Sequence, residues 1–182
     1  MNLQLDAMSV VMPDIVGHPN RLPFNGVLTL VGVASPRPPS GARGHRVMLT
    51  RGATEAALPS LLGMALDYAP ALDAHDARRK IGIITEANIV AMPQSKSSDV
   101  TGQIAVSGYL FARDFPDVVN DIRSQAAGTL GMSYEIANAT VPNQEARIWT
   151  VTGFTFTGAA VLRRDKAAYP QTWIALATSD SQ

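Results

Sequence analysis

Apolar and polar positions along the chain alternate in short runs separated by proline- and glycine-rich breaks, a pattern that predicts more strand than helix. Val27 to Ala34 is a continuous apolar run, and Arg46 to Thr50 is a short one. Lys80 to Val90 (KIGIITEANIV), Gln103 to Phe111, Met132 to Val141 and Ala146 to Phe156 read as further strands, the last two joined at Pro142-Asn143. Helical spacing is clearest after Asp114, which can cap a helix with Pro116 in its first turn. Val118, Val119, Ile122 and Ala126 recur on one side, and Gly128 ends it. Thr54 to Leu62 and Arg163 to Tyr169 are shorter helix candidates. Residues 35–44 (SPRPPSGARG) and 93–102 read as loops, because proline and glycine fit neither a sheet nor a helix interior. Together these elements predict one α+β domain built on an antiparallel sheet or barrel with two or three inserted helices. It spans residues 26–169, with an irregular arm over 1–25 and a tail over 170–182.

Composition narrows the functional classes. The 182 residues are 46% hydrophobic and 16% charged, as in a globular protein, and the formal net charge is zero. Nothing favours a polyanion or a membrane surface, so neither nucleic acid nor lipid is an expected partner. There is no cysteine, which excludes disulfides, thiolate metal sites and a cysteine nucleophile. Met1 to Met12 lacks a basic stretch leading into an apolar run, and no apolar run is long enough to cross a bilayer, so a cytoplasmic location is expected.

Candidate chemistry rests on few residues. Of the three histidines, His18 stands in the arm and His45 borders a glycine-rich loop. His75 sits in DAHDARRKIG, just before a strand and among Asp73, Asp76, Arg78 and Arg79. A histidine can take a proton from a hydroxyl when another group orients its ring. Ser133, in GTLGMSYE, follows the helix at the start of a strand, where it could serve as a nucleophile given a neighbouring base. Taken alone, each residue also fits a plain structural reading, His75 as a solvated loop residue and Ser133 as part of a tight connection. The spacing around His75 matches no zinc motif, and no phosphate-cradling loop is present, so no metal and no cofactor are expected.

The order of these features resembles the prohead (capsid-maturation) proteases of tailed phages, relatives of the herpesvirus assemblins. In that family a histidine followed by an acid or amide precedes an Ile-Gly strand, as His75-Asp76 precedes Ile81-Gly82 here. A strand, a helix and a nucleophile-bearing segment follow, as do Ile104 to Phe111, Pro116 to Ala127 and Leu130 to Glu135. A last strand matches WTVTGFTFTG from Trp149. The likeness covers roughly residues 26–165 and implies a serine endopeptidase with Ser133 as nucleophile and His75 as general base.

The resemblance further implies substrates among capsid and scaffold proteins, self-cleavage in the loose ends, and action inside a procapsid in the bacterial host. It leaves room for a homo-oligomer. Arg163 and Arg164 occupy the place of an arginine pair that stabilises the oxyanion in the herpesvirus relatives. Two departures stand out. Where many members carry an acidic third catalytic residue, this chain has Thr150 or Gly153, which leaves Asp73, Asp76 and Glu135 as candidates. The usual Pro-Ala-Asn is replaced by a segment beginning at Thr157. The alternative is therefore a non-catalytic phage head protein that kept the fold and lost the activity. A binding domain unrelated to phage is a third reading.

Overall fold

The computed structural model describes residues 8, 9, 15, 17–92 and 101–177. Most of the segment read for a signal peptide, most of the 93–102 loop and the end of the C-terminal tail lie outside these residues. The strands are β1 (Met8–Ser9), β2 (Leu22–Val31), β3 (Arg46–Leu49), β4 (Ala65–Tyr68) and β5 (Lys80–Val90). They continue with β6 (Gly102–Leu110), β7 (Leu130–Thr140), β8 (Ile148–Val151), β9 (Gly153–Arg163) and β10 (Trp173–Leu176). Helix α1 (Arg51–Ala57) runs into a 3-10 turn at Leu58–Leu61, and α2 covers Pro116–Ser124.

The main sheet runs β10-β2-β6-β5-β4-β9-β7, with β1 paired to the far half of β5; β3 and β8 form a separate small sheet. The α+β class expected from the sequence holds, but the sheet is mixed. Its antiparallel ladders are interrupted where β4 runs parallel to β9, and β3 runs parallel to β8. The sheet curls so that β7, at one end of the order, comes back to β2. A Cβ added to Gly26 of β2 would lie 2.6 Å from the Met132 sulfur of β7. Inside the curl, Phe24, Leu28, Leu66, Ile81, Ile84, Ile104, Leu110, Met132 and Phe156 form the core, which α2 covers with Val118, Val119 and Ile122.

Local chemistry explains where the elements start and stop. α1 begins at Arg51, earlier than expected, because the Thr50 hydroxyl accepts from the Ala53 N–H and Arg51 pairs with Glu55 one turn on. α2 begins at Pro116 as expected, but its cap residue is Phe115. The Asp114 carboxylate instead accepts from the Asn20 side chain at 2.7 Å. The helix stops at Ser124, so Ala126 and Gly128 lie beyond it. Gly128, with φ of 77°, turns the chain into β7.

Three further expectations are corrected. Arg163 to Tyr169 is not a helix: the apolar run Ala159 to Leu162 carries β9 on to Arg163, and turns follow. The strand expected from Ala146 to Phe156 is two strands that join different sheets. β2 begins at Leu22, inside the segment read as an arm, and β10 lies inside the segment read as a tail. The two pair with each other, and the Ala177 N–H extends the ladder to the Pro23 carbonyl.

Candidate active site: a histidine above the β4-β9-β7 face

The face of the sheet opposite the core carries the candidate residues, and strand register places them. Ser133 on β7 and Asp67 on β4 are each paired with the same residue of β9, Ala160. On the other side of β4, Asp67 is paired with Lys80 of β5. Residues paired across a ladder point to the same side, so Lys80, Asp67, Ala160 and Ser133 form one row across four strands. The row lies outside the core, since the alternate residues Leu66, Tyr68, Met132, Ala159 and Val161 are the ones packed inside.

His75 reaches this row from the loop between β4 and β5. That loop is fastened at both ends: the Tyr68 N–H donates to the Arg79 carbonyl, and the Leu72 carbonyl accepts from the Arg163 N–H at 2.7 Å. Leu72 is buried and has φ of 52°, which reverses the chain and brings His75 back over the sheet. The His75 Nδ1 lies 3.6 Å from Asp67 Oδ2 and 3.7 Å from Glu135 Oε1. Both are just beyond a hydrogen bond, and this buried nitrogen has no hydrogen-bond partner among the described residues.

The two carboxylates differ in surroundings. The Asp67 side chain is 1% exposed, and its other oxygen, Oδ1, forms an ion pair with the Lys80 ammonium. The Glu135 side chain is 54% exposed and leans over Gly158, where a Cβ would come within 2.8 Å of its Oε2. A unit charge about 4 Å away is worth about 1 kcal/mol in water and about 4 kcal/mol at the effective dielectric near a protein surface. Solvent screens Glu135 and reaches Asp67 hardly at all, while Lys80 offsets the Asp67 charge.

A cleft of about 960 Å³ opens beside the row. His75, Ser133 and Glu135 form one wall and Trp149 and Val151 of β8 another. The loop around Arg37 to Arg43 and the turn at Lys166 to Ala168 close the rest. Its size suits a segment of several residues. The small sheet that shapes it is held by His45, whose ring stacks on Trp149 at 4.5 Å and whose Nδ1 meets the Ala146 carbonyl at 2.9 Å. His18 has a local role, its Nδ1 accepting from the Asn20 N–H.

The remaining candidates are dispersed. Asp73 lines the cleft. Asp76 is engaged by Arg78, whose hydrogen bonds to it hold its carboxyl below the usual aspartate range. The Arg163 guanidinium is bound by Asp165 at 2.8 Å, and the Arg164 Nε donates to the Thr172 carbonyl at 3.0 Å. Neither arginine is among the residues lining the cleft, whose cations are Arg37, Arg43 and Lys166. Thr150 belongs to the small sheet, and Gly153 opens β9. Asp67 was not visible as a candidate. A single acid in a four-residue strand has no motif, and only the register of β4 on β9 reveals it. Among the described residues, no three His, Cys, Asp or Glu side chains are grouped to hold a metal ion, and no helix is long and apolar enough to cross a membrane.

Fold and site together define an α+β domain with a curled mixed sheet and a histidine-centred cleft on its outer face. A family model described as the YonD N-terminal domain matches residues 48–181, which include Asp67, His75 and Ser133, and the chain belongs to that phage-related family. The match is not to a prohead-protease family. No curated protein and no solved structure matches the chain.

Proposed function

We propose that the protein is a serine endopeptidase acting on capsid and scaffold proteins during phage head assembly, with Ser133 as nucleophile and His75 as general base. The observation that carries this reading is that β7 points Ser133 and Glu135 to the same side, and the Glu135 carboxylate lies 3.7 Å from the His75 ring. His75 and Ser133 also line one cleft, which supports the reading. Membership of a phage-related family agrees with the setting and leaves the activity to the site.

In the proposed reaction the Ser133 Oγ bonds to the peptide carbonyl carbon while its proton passes to His75 Nε2. Collapse of the tetrahedral intermediate breaks the C–N bond, and Nε2 gives the proton to the leaving amine. Water then repeats the sequence on the acyl-enzyme and releases a carboxylic acid. Arg43 and Lys166 are among the residues lining the cleft, and cations there can favour the oxyanion.

A fluorophosphonate probe tests this reading, because it reacts with a serine only where a base activates it. The wild-type protein should gain one adduct that maps to Ser133, and Ser133→Ala and His75→Ala should gain none. A folded wild-type protein that stays unlabelled would favour the non-catalytic head protein instead.

A further inference from the structure

We infer that Asp67 is the positioning residue for His75, with Lys80 as its counter-charge; the inference rests on the proposed serine chemistry. Three observations on the structure converge on it. First, Asp67 and Ser133 flank Ala160 in one row, two strand spacings or about 10 Å apart. Second, the residue between them is alanine, a small, fully buried side chain that places no polar group between the two. Third, the buried His75 Nδ1 has no hydrogen-bond partner among the described residues, and Asp67 Oδ2 faces it at 3.6 Å, while Oδ1 is taken by Lys80.

The division of the two oxygens gives each a task. Lys80 binds one oxygen of the buried carboxylate and offsets its charge. The free oxygen then accepts from Nδ1–H, which leaves Nε2 without a proton, the state a general base requires. Glu135 faces the same nitrogen from solvent, with an exposed and screened carboxylate. The positioning acid thus precedes the histidine in the chain, on a strand, and none of Asp73, Asp76 and Glu135 fills this place.

The experiment compares wild type, Asp67→Asn, Glu135→Gln and the double variant Asp67→Asn/Lys80→Gln. The double variant removes the uncompensated ammonium, which keeps the comparison valid if Asp67→Asn alone folds poorly. Two quantities are read: the rate of fluorophosphonate labelling against pH, and the protonation site of the His75 ring by nitrogen-15 NMR. Labelling should slow on the order of 10³–10⁴-fold in both Asp67 variants and by no more than about threefold in Glu135→Gln, where solvent already screens the charge. The neutral ring should carry its proton on Nδ1 in wild type and shift it to Nε2 without Asp67. An Asp67 variant that keeps the wild-type labelling rate and ring state would overturn the inference, as would a loss found in Glu135→Gln instead. If the wild type itself does not label, the serine chemistry fails, and the ring state alone decides whether Asp67 positions His75.

Discussion

Asp67 and Ser133 meet the same residue, Ala160, from opposite sides of β9, although 66 positions separate them in the chain. This shared partner sets how far apart Asp67 and Ser133 stand in the sheet, and the proposed site makes a residue without functional groups a determinant of it. Ala160 is fully buried beside Leu162 and Ala167, so Ala160→Leu should displace its neighbours and abolish fluorophosphonate labelling. Overpacking of this kind costs about 1–3 kcal/mol, so the variant should remain folded, as circular dichroism would show. Unchanged labelling would mean that Ala160 is no determinant of the site.

The loop that carries His75 is anchored at its base by polar contacts to α2. The Tyr68 hydroxyl donates to Asp121, and Arg79 pairs with Asp117. Tyr68→Phe removes a hydrogen bond to a charged group and should lower stability by about 2 kcal/mol. It should also raise amide exchange through 69–79 more than in β2 or β6. Equal exchange changes in all strands would deny the loop its anchor.

Stability at alkaline pH should depend on buried tyrosines. The Tyr169 hydroxyl donates to the Val33 carbonyl at 2.9 Å, with the Val47 carbonyl at 3.2 Å, and burial above all pushes its pKa well above the ordinary tyrosine range. Burial, followed by the hydrogen bond to Asp121, does the same for Tyr68. Folding favours the neutral phenol, so this contribution is complete below the unfolded pKa of about 10 and is lost as pH rises above it. Each group removes up to about 1.4 kcal/mol per pH unit in that range. Urea midpoints at pH 8 and pH 11 measure the effect, and Tyr169→Phe should reduce the difference.

Gly108 and Gly82 should resist substitution. A Cβ on Gly108 would stand 2.0 Å from the Ile83 carbonyl oxygen, and one on Gly82 would stand 2.4 Å from that of Tyr109. Gly108→Ala must push β5 and β6 apart and should cost at least about 2 kcal/mol. A melting temperature equal to wild type would contradict this.

The legible parts of the fold were those in which burial leaves a continuous trace. β5 runs over Lys80–Val90 as its apolar run predicts, because it lies deep in the sheet with neighbours on both edges. α2 was legible from Pro116 and the spacing of Val118, Val119 and Ile122. β4 was not, since four residues that alternate around one acid give almost no periodic signal. The missing C-terminal helix has a related cause: Arg163 to Tyr169 holds helix-compatible residues, and the pairing of β9 with β7 outweighs that local preference. His75 and Ser133 stand out in the sequence because each sits in a short motif, and both line one cleft. Asp67 acquires its place from a parallel ladder with a strand more than 90 residues later, which no local pattern encodes.

The most direct test of the endopeptidase reading is co-expression with the major capsid protein of the same phage, with intact-mass spectrometry of both chains. The account predicts defined truncations in the wild type that vanish in Ser133→Ala and His75→Ala, with any self-cleavage falling in the segments before β2 or after β10. Full-length masses in the wild type, with the shell assembled and the protein folded, would contradict it.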